Sequence, residues 1–248
     1  IRWLIGKDLT AEEQLYMAGD GQGIKRYFKY CTDHKVVGIQ YLVGVMTMLG
    51  VGGMMAMMIR TNLAIPGGKF LGATIYNSLV GLHGITMIIA MIIVATGPFG
   101  NYIMPIMIGA RDMAFPRLNA LSFWLIVAAA VPLIWGQFIG GISTGWTAYN
   151  PLAGQSPLGM NGYIMYICIF ALSTMVAGAN ITTTVVKMRA KGMTWNRTPI
   201  FIHGVVASVA LALPAFPTFF LSQVMSGMDR ALGTNFYNPD RKSTRLNS

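Results

Sequence analysis

Five stretches of this chain, residues 36–59, 76–99, 120–142, 162–186 and 199–224, contain no Lys, Arg, Asp or Glu. Each is long enough to cross a bilayer, which takes roughly 20 apolar residues in a helix. Lipid offers the backbone no hydrogen-bond partners, so such stretches must be helices or strands of a closed barrel. Their hydrophobicity is continuous rather than alternating, which selects helices. The expected fold is an all-α polytopic membrane protein with about five transmembrane helices. Composition agrees: 54% of the 248 residues are hydrophobic and 10% are charged, whereas soluble chains carry about 25% charged residues. Beyond Asp33 the only carboxylates are Asp112, Asp229 and Asp240.

A net charge of +10 could indicate nucleic acid, but its placement argues against that. Lys25, Arg26, Lys29 and Lys35 precede the first stretch, Arg111 and Arg117 lie between the second and third, and Lys187, Arg189, Lys191 and Arg197 between the fourth and fifth. The alternate loops hold Arg60 and Lys69, then none. This asymmetry is the positive-inside pattern and assigns the amino terminus to the cytoplasm. No basic face with interleaved aromatics suggests a nucleic-acid partner.

Cys31 precedes the first stretch and Cys168 lies within the fourth, so neither a disulfide framework nor a metal motif is expected. The first thirty residues are polar and of mixed charge, with a short amphipathic portion at 11–17 and no cleavable signal. The chain opens at Ile1 without an initiator Met, a hint of a missing start. Its tail, Asp240-Arg241-Lys242-Ser243-Thr244-Arg245-Leu246-Asn247-Ser248, departs from the preceding composition and resembles the translation of a sequencing adapter. The natural sequence is accordingly expected to end near Pro239.

Polar residues within hydrocarbon are costly and mark function. His83 lies inside the second stretch between Gly81 and Gly84. On spacing alone, axial ligation of a haem iron and a helix–helix hydrogen bond are equally good readings. For ligation, the glycines would leave room for a flat macrocycle. After the second stretch come Gly100-Asn101-Tyr102-Ile103-Met104-Pro105 and the run from Ile108 to Asn119, read as a loop around Asp112. A carboxylate at a membrane mouth, with Asn101 and Asn119 nearby to hold water, could begin a proton path. Chemistry alone favours the plainer role of a surface carboxylate beside Arg111. In the fourth stretch Ser173 and Asn180 are seven residues apart, on one helical face. They could line a hydrated wire or satisfy neighbouring backbone.

Several strings, in this order, resemble the core subunit of the haem–copper oxidases: Thr32-Asp33-His34-Lys35, Ile59-Arg60-Thr61, Tyr76 to Gly84, Gly100-Asn101-Tyr102, Ile108 to Asn119, Ser143-Thr144-Gly145-Trp146-Thr147 and Gly233-Thr234-Asn235-Phe236. The resemblance runs from about residue 31 to 239. It implies a cytoplasmic segment at 1–30 and the first five helices of a bundle of about twelve at 31–239, with the adapter-like tail at 240–248. It further implies that His83 is the first axial ligand of a low-spin haem, with Arg60 at the haem edge and Trp146 packed near it. Asp112 matches the mouth of a proton channel, lined by Asn101, Asn119, Ser173 and Asn180.

Of the chain's three histidines only His83 matches a ligand position. His34 is read as a capping or surface hydrogen-bonding residue, and His203 as a packed or hydrogen-bonded one. Ligands for a high-spin haem and a copper would lie beyond this sequence, so this chain alone is expected to be inactive. For the intact protein the resemblance implies a proton-pumping oxidoreductase that reduces oxygen to water in aerobic respiration. A copper-bearing subunit II would be its partner in the lipid bilayer. Cytochrome c is the expected donor, because Thr61-Asn62-Leu63-Ala64-Ile65-Pro66 lacks an acid and the stretch before His83 lacks His and Gln; the alternative is a quinol. In a different class stands a non-redox transporter or structural membrane subunit. The expected location is a prokaryotic plasma membrane, with the mitochondrial inner membrane as the alternative.

Overall fold

The structure is a computed structural model that describes residues 10–18, 22–67 and 70–237. Ile1, Lys69, Pro239 and the tail at 240–248 lie outside them. Among the described residues every regular element is helical. Helix α1 (Ala11–Ala18) falls on the amphipathic portion. It begins with a capping box: the Thr10 amide donates to Glu13 Oε2 at 2.9 Å, and the Glu13 amide donates to Thr10 Oγ1 at 3.3 Å. A 3-10 turn (Gly23–Phe28) follows. The Gln40 amide anchors it by donating to the Tyr27 and Lys29 carbonyls.

The long helices are α2 (His34–Ala64), α3 (Ala73–Val94) continued by α4 (Gly100–Ile108), α5 (Pro116–Phe138), α7 (Gly159–Lys187) and α8 (Ile200–Ala231); α6 (Leu152–Gln155) is a single turn. They make five spans of membrane-crossing length and apolarity, where five were expected. Most ends shifted by a few residues, the first span running on to Ala64 and the fifth to Ala231, and two of the shifts have a local cause. The second span does not stop at Phe99. A π turn (Ala95–Phe99) absorbs Pro98, whose ring and missing N–H would break an α-helix, and carries the span on to Ile108. Asn101 and Tyr102 are therefore helical, not loop. The third span ends at Phe138 rather than 142, because Gly140 and Gly141 adopt positive φ and turn the chain.

Two compact units are built from these helices. The first comprises Ile1–Met46, Ala90–Val127 and Phe170–Pro217; the second comprises Thr47–Ile89, Ala128–Ile169 and Thr218–Ser248. In the first, Met104 and Ile108 of α4, Ile181 and Val185 of α7, and Ile202, Val205 and Val209 of α8 form one buried apolar cluster around Met113. In the second, α5 and α7 pack with their backbones in contact. A Cβ built at Gly162 would fall on the Pro132 carbonyl, and one at Gly159 on the carbonyls of Gly136 and Gly141. Small residues permitting close backbone approach are how helices associate in lipid, where hydrophobicity alone drives nothing together. Met54, Met57, Ile134, Phe138 and Leu211 are exposed, apolar surface suited to acyl chains.

Candidate functional site

His83 is on α3, half-buried, with Nδ1 2.9 Å from the Gly52 carbonyl of α2. A carbonyl only accepts, so Nδ1 carries the proton. Neutral imidazole then presents an unprotonated Nε2, the atom that would bind a metal. A Cβ at Gly52 would meet the Met87 sulfur at 2.7 Å, so glycine there gives that flexible side chain its room. The two readings left equal by sequence are thus compatible, because one nitrogen makes the interhelical bond and the other remains a donor.

The flanking glycines face another part of the chain. A Cβ at Gly81 would meet Ile142 Cδ1 at 2.9 Å and the Gly145 backbone at 3.1 Å, and one at Gly84 would meet the Trp146 side chain at 3.0 Å. They admit the 142–146 segment. Trp146 is consequently packed on α3 directly beside His83, while 47% of it remains exposed. Arg60 is exposed on α2, eight residues or about two turns beyond Gly52. Among the described residues no three His, Cys, Asp or Glu converge as a metal site. A lone imidazole in an apolar span suits iron already held by a porphyrin better than an ion held by side chains alone.

The second constellation surrounds Asp112, between α4 and α5. No ion pair with Arg111 forms among the described residues, and Arg111 is exposed, so the surface-pair reading is not met. Instead burial pushes the carboxyl up to about 7, helped by the Asp33 charge and opposed by the amides of Met113 and His34. Met113 N–H donates to Asp112 Oδ1 at 2.7 Å. The strand of loop beyond is pinned to α7: the Ala114 amide donates to Thr184 Oγ1 at 2.9 Å and the Phe115 amide to Asn180 Oδ1 at 2.8 Å.

Asn101, Asn119, Ser173 and Asn180 are all buried. The His34 Nδ1–H donates to the Asn101 carbonyl at 2.8 Å, and Asn101 Nδ2 donates to the Gly97 carbonyl at 2.7 Å. His34 is thus a buried anchor rather than a surface group. Ser122 Oγ donates to the Asn119 carbonyl (2.7 Å) and pairs with the Tyr41 phenol (2.8 Å), while Ser173 Oγ donates to the Ser122 carbonyl (2.6 Å). Asn101 Oδ1, Asn119 Nδ2 and Asn180 Nδ2 are buried without a protein partner, the condition ordered water relieves. Beside this cluster a cavity of about 70 Å³ is lined by Tyr41, Thr96, Ser173, Thr174 and Ser208 among apolar residues. Sequence reasoning missed Tyr41, Ser122 and Thr184. The last two follow Asn119 by three and Asn180 by four residues, a helical spacing that signals a shared face. His203, the remaining histidine, pairs with Thr198 Oγ1 at 2.8 Å and is exposed.

Comparison with known proteins agrees with this arrangement. Residues 36–247 match the family described as "Cytochrome C and Quinol oxidase polypeptide I". The chain is 40% identical over 216 residues to "Cytochrome c oxidase subunit 1" of Thermostichus vulcanus, covering 86% of this chain and 39% of that protein. It is 39% identical over 214 residues to the protein so named in Synechocystis, with the same coverage of both chains. To its namesake in Bacillus subtilis it is 40% identical over 210 residues, covering 84% of this chain and 34% of that one. The chain thus spans about two fifths or less of the curated relatives' length. With five apolar spans, a ligand-competent histidine in the second, and a match across most of its residues, this chain belongs to the subunit I family of the haem–copper oxidases.

Proposed function

We propose that this chain forms part of the catalytic subunit of a proton-pumping terminal oxidase, which takes electrons from cytochrome c and reduces oxygen to water. The observation that carries the reading is the hydrogen bond from His83 Nδ1 to the Gly52 carbonyl, which fixes the imidazole and leaves Nε2 as the atom that would hold a haem iron. Arg60 and Trp146 would flank the haem edge. A low-spin haem held there by His83 would supply one-electron redox chemistry. Ligands for a high-spin haem and a copper, and the copper-bearing subunit II, are to be sought beyond these residues.

The chain's own part in proton movement follows from the first unit. Asp112, held near neutrality by burial, can both take up and release a proton at physiological pH. The buried amides of Asn101, Asn119 and Asn180 and the hydroxyls of Tyr41, Ser122 and Ser173 would then hold a chain of waters leading inward. For the donor, residues 61–66 after Arg60 carry no acid and the stretch before His83 carries no His or Gln, which supports cytochrome c over a quinol. The basic loops support a reading in which the amino terminus and Asp112 face the cytoplasm across a prokaryotic plasma membrane.

The decisive test is the reduced-minus-oxidised spectrum of the assembled oxidase carrying His83→Ala. The low-spin component should disappear. A variant that keeps it unchanged removes His83 as its ligand.

A further inference from the structure

Trp146 is held in place by two residues that the reading above leaves without a role. The 139–158 segment joining α5 to α7 leads away from its helix through Ser78 of α3, whose Oγ accepts the Ile142 amide at 3.1 Å and donates to Gln137 Oε1 at 2.7 Å. At Trp146 itself the backbone carbonyl accepts the phenol of Tyr163 from the first turn of α7. Tyr163 is 1% exposed, so that hydroxyl cannot turn to solvent for another partner.

The far half of the segment is gripped by Arg230, in the last turn of α8. Its Nη1 donates to the carbonyls of Ala153 (2.6 Å), Ser156 (3.0 Å) and Gly154 (3.2 Å). Nη2 donates to the Pro157 carbonyl (2.9 Å) and Nε to Asn161 Oδ1 (2.6 Å). A planar guanidinium can satisfy this many acceptors at once, and an ammonium cannot. The two halves are then stitched together by Ser143 and Ser156, whose hydroxyls are 3.0 Å apart.

We propose that Tyr163 and Arg230 are positioning residues: together they fix the 139–158 segment and so set where the Trp146 ring lies on α3 beside His83. The argument rests on His83 being the haem ligand. The physical warrant is that an irregular segment keeps a single conformation only where its carbonyls are bound, and here they are bound by one buried phenol and one fork of five donors. An indole held against the ligand-bearing turn affects the polarity and solvent access at that ligand, which tune a haem's potential.

The test uses the assembled oxidase with Tyr163→Phe, Arg230→Met and Arg230→Lys. In Tyr163→Phe and Arg230→Met, backbone amides in 143–157 should exchange with deuterium roughly five- to tenfold faster, as expected for losing about 1 kcal/mol of local hydrogen bonding. The low-spin haem should stay at wild-type stoichiometry while its reduction midpoint shifts. Arg230→Lys should recover part of that shift. In a Trp146→Ala background, Tyr163→Phe should add nothing further to the midpoint, because its effect passes through Trp146. An unchanged midpoint in both Tyr163→Phe and Arg230→Met, or a full additional shift in the Trp146→Ala background, overturns the proposal. His83→Ala is run alongside: if the low-spin haem survives that substitution, it is the ligand assignment that has failed, not the grip on the segment.

Discussion

The two compact units use their polar groups in opposite ways. Around His83, in the second unit, hydrogen-bonding capacity is spent within the protein. His83 bonds Gly52, Ser78 bonds Gln137 and Ile142, Tyr163 bonds Trp146, and all three nitrogens of Arg230 are engaged. Around Asp112, in the first unit, capacity is left over. Asn101, Asn119 and Asn180 each keep one buried amide atom unbonded by protein, and the aligned hydroxyls sit beside a cavity. Spent capacity makes a rigid seat for a cofactor, and spare capacity makes a place for water. Close backbone packing, by contrast, is common to both: backbones touch through Gly136, Gly159 and Gly162 in the second unit, and in the first a Cβ at Gly38 would come within 3.1 Å of the Pro98 carbonyl and the Tyr102 amide.

Substituting across this contrast should give effects of very different size. The largest is expected from Gly162→Leu. Its Cβ would fall on the Pro132 carbonyl, and backbone cannot move aside as a flexible side chain can. Overpacking there should cost about 3 kcal/mol or more, seen as loss of the assembled protein on size exclusion. Normal yield and melting would mean that the second unit is less rigid than its glycines imply.

Next comes Asp112→Asn, which should slow proton uptake by reconstituted vesicles at least about tenfold. It also carries a pH signature. A carboxyl raised from 3.8 to about 7 holds its proton more tightly when folded. Its penalty is therefore absent below the unfolded value, grows as pH rises through the window between the two, and is complete above about 7. Thermal stability should fall between about pH 4 and 7 in the wild type and fall less in the variant. Parallel profiles would show that Asp112 is hydrated after all, and would erase the claim of a tuned carboxyl.

Tyr41→Phe is expected to be milder. It deletes the phenol paired with Ser122 but leaves Ser122 bonded to Asn119. The loss should be about 1 kcal/mol in melting experiments, with uptake slowed far less than by Asp112→Asn. An uptake defect equal to that of Asp112→Asn would make Tyr41 an obligatory element of the path. Smallest of all should be Gly44→Ala in the first unit, whose Cβ meets only Phe123 at 3.6 Å, an ordinary contact. Melting should change by less than about 0.5 kcal/mol. A loss comparable to Gly162→Leu would show that position 44 is packed as tightly as the contact between α5 and α7.

Much of this was legible in the sequence, and the limits have physical causes. The five spans could be read because hydrocarbon allows a backbone so few options. The end of the second span could not. Gly97, Pro98 and Gly100 are ordinarily helix breakers, and only a π turn, which leaves no compositional trace, carries the helix through them. His83 stood out because an imidazole is conspicuous in lipid, but its partner is a backbone carbonyl thirty-one residues away that no motif announces. The glycines beside it read as space, but nothing in the sequence says that Ile142, Gly145 and Trp146 of a separate segment come up against them. On chemistry alone Asp112 reads as a surface carboxylate beside Arg111, whereas in the fold its Oδ1 accepts the Met113 amide.

The π turn at Ala95–Phe99 has one more effect, on angular phase. Hydrogen bonds there span five residues instead of four, so the turn takes up about one extra residue. One residue corresponds to about 100° on a 3.6-residue helix. Side chains from Gly100 to Ile108 therefore point about 100° away from where an unbroken α-helix would aim them. The face that carries Asn101, with its carbonyl at His34 and its amide at Gly97, owes its direction to that offset. Shortening the turn by a single residue would leave the composition of the helix almost untouched and swing that face away from its partners.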